Sequence, residues 1–272
     1  MVHGNRTRQL AGGVTQLLAT RSVGPEGGPL VVLLHSIATS AALWEPQIAA
    51  LSGQFRVLAV DLPGHGASPV PDTAGSMKDY ARSVMATLVA HDARDCSVVG
   101  LSLGSSIAQL IAVLAPDRIR SVVLAGGTAC PPPAVRDMWR TRAARARSDG
   151  MSGQAEEILG RWFTPAFAAA QPERVEAIRR AVLATPAEGY AQAAEAIADL
   201  DNRAMLSRIG CPALVVAGNA DTAVPVEALQ LIAHSIPNCR LATVDAAHLM
   251  NVEAAQQFTD LVTDHLVSSF AG

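Results

Sequence analysis

The sequence has no apolar run near the ~20 residues that a membrane-crossing helix requires, and it has no basic excess. Its 21 Lys and Arg stand against 24 Asp and Glu, for a formal net charge of −3. That balance lacks the electrostatic footprint of a nucleic-acid binder, although a small anionic ligand needs only local positive charge. Lys78 is the one lysine, so the cations are almost all arginine; this reads as coding bias rather than as a phosphate-binding device. Cysteine is sparse: Cys96, Cys130, Cys211 and Cys239 lie far apart and form no C-x-x-C pair, so the spacing of a zinc site is missing. Cys96, Cys211 and Cys239 fall in or beside apolar runs, where a small buried thiol is expected, as in a reducing compartment. The first ten residues are polar and carry no apolar leader core. Together these absences predict a cytoplasmic protein with no metal, no cofactor, no membrane contact and no nucleic-acid partner.

What is present is a large apolar fraction, 50% of 272 residues, enough for one large core or two small ones. Six short runs read as buried strands: "PLVVLLH" (29–35), "FRVLAVD" (55–61), "CSVVG" (96–100), "IRSVVLAG" (119–126), "CPALVVAG" (211–218) and "CRLATVD" (239–245). Each is continuously apolar, as parallel strands covered on both faces should be. Helical patterns at 44–52, 76–92, 104–115, 226–235 and 252–267 lie between them. This alternation predicts an α/β fold, a mostly parallel sheet with helices on both faces. A pair of weaker strands is expected between Val14 and Val23. The rhythm breaks from Pro131 to about Leu206, where Pro-Pro-Pro opens an Ala- and Arg-rich helical stretch. The chain therefore divides into a core (1–130 and 207–272) and an inserted helical lid (131–206). An insertion leaving the carboxyl edge of the sheet would roof a site there.

One strand ends in "VGLSLG", with Ser102 between Gly100 and Gly104 at the start of a helix. G-x-S-x-G between strand and helix is the nucleophile-elbow pattern: the glycines permit a sharp turn that lifts the hydroxyl clear of the sheet. The competing reading is a serine that merely caps the helix. A nucleophilic serine needs a base, and the base needs an orienting acid, in the chain order Ser, acid, His. Asp221 in "AGNADTAVP" and His248 in "VDAAHLMN" both follow strands. Asp245 competes as the acid, but it shares a short loop with His248 and would have to fold back on it. Asp61 precedes "LPGHGAS" and is expected to support that loop. His91, His234 and His265 fall in or at the ends of helical patterns and are expected to be solvated. Two backbone N–H groups, of Ile37 and Leu103, are the expected oxyanion donors.

The segments "VVLLHS", "DLPGHGAS", "GLSLG", "GNADTAVP" and "DAAHLMNVE" resemble the α/β-hydrolase superfamily. Within it, "SIATSAALWEPQIAALSGQFRVLAVDLPGHGAS", "RWFTPAFAAAQPE" (161–173) and "LATPAEGYAQAAEAIADLD" (183–201) resemble the 3-oxoadipate enol-lactonases of aromatic degradation. The likeness covers about residues 30–266. It departs where Ser36 stands in place of a common glycine and where the usual Asn and Gly are His35 and Ala38. The resemblance implies a small enol-lactone bearing a carboxylate as substrate, opened through an acyl-enzyme on Ser102. It also implies an arginine in the pocket, from among Arg136, Arg140, Arg142, Arg145 and Arg147; Arg140 is the expected anion-binding side chain and Trp139 the expected wall. Other lactones or carboxylic esters, a C–C bond hydrolysis and a non-catalytic receptor role are the alternatives. Oligomerisation is compatible with the sequence.

Overall fold

A computed structural model describes residues 7–10 and 13–271. The strands, in chain order, are β1 (Thr7–Leu10), β2 (Gly13–Gln16), β3 (Thr20–Val23), β4 (Leu30–Leu34), β5 (Arg56–Val60), β6 (Cys96–Leu101), β7 (Ile119–Ala125), β8 (Ala213–Gly218) and β9 (Cys239–Val244). The helices are α1 (Glu45–Leu51), α2 (Met77–Ala90), α3 (Leu103–Leu114), α4 (Pro133–Asp149), α5 (Ala155–Trp162), α6 (Pro165–Ala170), α7 (Pro172–Ala184), α8 (Ala187–Ala198), α9 (Arg203–Leu206), α10 (Val226–Ser235), α11 (Met250–Glu253) and α12 (Ala255–Ala271). Seven strands form one sheet in the order β3-β5-β4-β6-β7-β8-β9, and β1 pairs with β2 apart from it. All neighbours in the large sheet run parallel except β3, which is antiparallel to β5.

The six apolar runs are the six parallel strands. β4, β6 and β8 are buried at every position, which is why they read as continuous apolar runs rather than alternating ones. Two strands do lie between residues 13 and 23, but they do not pair with each other: β2 pairs with β1 and β3 with β5.

The sheet grows from β4 outward to β5, then returns across β4 to β6 and continues to β9. Crossovers of one hand in opposite directions put α1 and α2 on opposite faces. Accordingly α2 packs with α3, and α1 with α12. The reversal between β4 and β6 leaves a crevice at the strands' carboxyl ends, the place where open α/β sheets bind ligands. The helices α4 to α9 all fall between β7 and β8. The pairing of α4 with α8 forms the largest helix-to-helix contact.

Candidate active site

Ser102 stands immediately after β6, at the crevice. Its backbone has φ 55° and ψ −111°, a region that costs a non-glycine residue about 1–3 kcal/mol and persists only where neighbours enforce it. The neighbours here are two hydrogen bonds: Ser102 N–H donates to Ala125 O at 2.8 Å and Gly104 N–H to His35 O at 3.1 Å. The flanking glycines are required by space. A Cβ on Gly100 would lie 2.3 Å from Gly104 O, and one on Gly104 would lie 2.1 Å from Leu34 O. Ser102 Oγ makes no cap to α3; its partner is His248 Nε2, at 2.9 Å.

His248 Nδ1 lies 2.8 Å from Asp221 Oδ2. An ionised carboxylate can only accept, so this contact assigns the proton to Nδ1 and leaves Nε2 to accept from the serine hydroxyl. Asp221 Oδ1 accepts from the backbone N–H groups of Ala223 at 2.7 Å and Val224 at 3.0 Å. Burial opposes ionisation of Asp221, but the charge of His248, its hydrogen bond and the two backbone donors outweigh it and hold the carboxyl below its ordinary value. The rival acids are occupied elsewhere. Asp245 Oδ1 accepts from Asn219 Nδ2 at 2.8 Å. Asp61 accepts from Ala41 N–H at 2.7 Å and Ala67 N–H at 2.9 Å, tying its loop in the supporting role expected of it.

Ile37 and Leu103 both border the cavity beside Ser102. The Ile37 N–H donates to no described residue, and Leu103 is the first residue of α3, where an N–H has no intrahelical acceptor. Both groups are therefore available to an oxyanion. The left-handed residue of this loop is Ala38, with φ 57°, not Ser36. His35 fixes the loop instead. Its Nε2 accepts Leu62 N–H at 2.9 Å, and its Nδ1–H donates to Ser36 O at 2.7 Å.

The cavity holds about 630 Å³. Trp139 lines it. Arg140 does not: it is exposed and paired with Asp137 and Asp199. Successive helical residues point about 100° apart, so Arg140, next to the cavity-lining Trp139, turns out to the exposed face of α4. Arg136 donates to Pro131 O, and Arg145 and Arg147 pair with Glu157, Glu188 and Glu195. Arg142 does line the cavity; its guanidinium is paired with Glu157 at 2.6 Å and sits over the Trp139 ring.

Two cavity residues escape a reading of the sequence. Arg161 lines the cavity and forms no ion pair among the described residues; its guanidinium donates to Met138 Sδ at 3.2 Å and Thr222 O at 3.3 Å. Burial, reinforced by the Arg142 charge, lowers its pKa from the usual arginine value. Trp162 stacks on the His248 ring with centroids 6.5 Å apart. The available signal was the spacing of Ile158, Arg161 and Trp162 on one face of α5, but it does not say which way that face turns. His265, expected in solvent, is 6% exposed, because the face of α12 that carries it packs on the sheet. His234 is exposed. Among the described residues no group of His, Cys, Asp and Glu could hold a metal ion, and no helix is long and apolar enough to cross a membrane.

This geometry has relatives. Residues 29–255 match the family model of the alpha/beta hydrolase fold. A 3-oxoadipate enol-lactonase of Acinetobacter baylyi is 32% identical over 239 residues, covering 88% of this chain and 89% of its own. The enol-lactonase from Burkholderia xenovorans LB400 superposes with a TM-score of 0.90 at 33% identity, over 96% of this chain and 100% of its own. A hydrolase from Pseudomonas aeruginosa PA01 gives 0.89 at 38% identity, over 96% and 98%. With that match and that crevice, the chain is an ester-bond hydrolase belonging to the alpha/beta hydrolase family, and it resembles the enol-lactonases within it.

Proposed function

We propose that this hydrolase opens a small lactone that carries a carboxylate, of the type of 3-oxoadipate enol-lactone, through an acyl-enzyme on Ser102. The observation that carries the reading is the hydrogen-bonded chain from Ser102 through His248 to Asp221, at 2.9 and 2.8 Å, beside a cavity that also holds the Arg161 guanidinium. The lactonase relatives support the same substrate class.

The steps follow from the donors and acceptors. Ser102 Oγ attacks the lactone carbonyl carbon while its proton passes to His248 Nε2. Asp221 holds the imidazole in register and stabilises the imidazolium. The carbonyl oxygen becomes an oxyanion and accepts from the Ile37 and Leu103 N–H groups. The ring C–O bond then breaks, and His248 returns its proton to the departing enol oxygen, which tautomerises to a ketone. Both halves of the substrate stay joined, so the acyl group remains on Ser102. A water gives its proton to His248 Nε2 and attacks the ester carbon; Ser102 leaves with that proton, and the product departs as a dicarboxylate. Arg161 pairs with the carboxylate that the lactone carries from the outset. The helices over 131–206 act as the lid of this site, and four unpaired thiols suit a cytoplasmic setting.

The test compares turnover of 3-oxoadipate enol-lactone with that of p-nitrophenyl esters. Ring opening is expected to dominate, and Ser102→Ala is expected to lower kcat by about 10⁵–10⁶-fold and abolish labelling by a fluorophosphonate. Ester hydrolysis without lactone opening removes the lactonase reading, and a Ser102→Ala enzyme with full activity removes the mechanism.

A further inference from the structure

The cavity is larger than the substrate just proposed would fill. A cavity of ~150 Å³ holds benzene, so an enol-lactone of about ten non-hydrogen atoms needs roughly 250 Å³. The cavity here holds about 630 Å³. The surplus, roughly 380 Å³, has space for about fifteen more atoms of that size.

The surplus is not built for water. Away from the arginines its lining is mostly apolar, with Val135, Met138, Trp139, Ile158, Trp162 and Ile197, and the Ser106 hydroxyl there is already bonded to Thr128 O. A confined water needs two to four polar partners, and a mostly apolar wall supplies few. A separate observation lies at the rim. Leu231, on α10, borders the cavity and is 69% exposed, more than any other large hydrophobic of the described residues. Pro225 and Val224 continue that rim. Glu227 lies on it one helical turn before Leu231, so an anionic group leaving by this route meets a carboxylate.

We propose that the preferred substrate carries, besides its carboxylate, an apolar arm of about six to ten carbons that fills the surplus and leaves over Leu231. The carboxylate stays with Arg161, which rests on the lactonase reading; the arm does not. Each methylene taken from water into such a wall favours binding by about fourfold, so even partial burial of a hexyl arm is measurable.

The experiment measures kcat/KM for 3-oxoadipate enol-lactone and for analogues with a propyl or hexyl group on either free ring carbon. The better hexyl analogue is expected to exceed the parent by about tenfold or more; a ratio of one or less overturns the proposal. Leu231→Glu, a change at an exposed position that leaves the core intact, is expected to lower that ratio at least about threefold. An unchanged ratio in that variant overturns the path over Leu231. If no lactone is opened, the lactonase reading fails by itself. The arm is then read from p-nitrophenyl octanoate against acetate, where the same preference of about tenfold supports it and equal rates overturn it.

Discussion

At the scale of single residues, Arg161 distinguishes anion recognition from bare hydrolysis. It faces the cavity with only a carbonyl and a thioether as partners, so a substrate carboxylate would complete it. A hydrogen bond to a charged group contributes about 1.5–3 kcal/mol. Arg161→Met is therefore expected to raise KM for an anionic lactone by about 10–100-fold, seen as a lost preference for anionic over uncharged substrates in steady-state kinetics. Gly104 tests the turn that carries Ser102. An added Cβ would meet backbone, Leu34 O at 2.1 Å, and backbone cannot swing aside. Gly104→Ala is expected to destabilise by about 3 kcal/mol, a fall in Tm of roughly 6–12 °C by thermal unfolding. Ser102 and both its glycines were legible in the sequence because a sharp strand-to-helix turn has few chemical solutions. Asp221 and His248 were legible because each sits just past an apolar strand. Arg161 and the arginine-rich stretch of α4 were not. Which of several arginines faces inward depends on the rotation of a helix about its axis, and the alanine-rich α4 and α8 fix that rotation chiefly against each other.

At the scale of elements, the strands explain themselves while the insertion depends on its surroundings. β4, β6 and β8 are covered on both faces, so each apolar run is its own signal. The insertion yields helices from its own residues, but its position over the crevice comes from contacts distant in sequence. The main ones join the end of α5 to the loop that carries His248. Leu249 N–H donates to Trp162 O at 3.1 Å. Glu253 accepts from Ala247 N–H at 3.1 Å and from the Thr164 hydroxyl. These contacts grip the residues on either side of His248, so the helical insertion is fastened to the loop that carries the imidazole. Glu253→Ala removes the shared acceptor of three part-buried donors, the Ala247 N–H and the Thr164 N–H and hydroxyl, and a donor left unpaired and shielded from water costs about 1–3 kcal/mol. The expected outcome is a kcat lowered about three- to tenfold with KM changed less, together with a lower Tm. Glu253→Gln retains an acceptor oxygen and is expected to recover most of both. If Glu253→Ala lowers Tm but leaves kcat intact, the link is structural and does not position His248.

At the scale of the whole molecule, the buried histidines make stability depend on acid. His35 and His65 are fully buried with rings 5.5 Å apart. Burial and, for His35, the neighbouring ring lower their pKa values to about 3 and about 4. The His35 geometry gives the reason: Nε2 accepts the Leu62 N–H, and a proton there would set two donors against each other. His265, with its Nε2 unpartnered, is lowered to about 4 by burial and by the field of Arg240. The unfolded chain takes up these protons near pH 6.5 while the folded chain resists them, so the unfolded state binds more protons in between. Stability is complete above about pH 6.5 and declines as pH falls toward 4, by about 2 kcal/mol at pH 5 for each of His35 and His65. Asp221, held below its ordinary value, acts in the same direction but only below about pH 4, where an unfolded carboxylate begins to protonate. Urea-unfolding midpoints are therefore expected to fall steeply from pH 7 to pH 5, before any carboxylate titrates. His265→Leu keeps the side chain apolar against the sheet and removes one of the three sites, so its slope over that window is expected to be shallower than that of the natural chain. Equal slopes in the two proteins would show that His265 takes up its proton without unfolding, through an opening of α12 at the edge of the core.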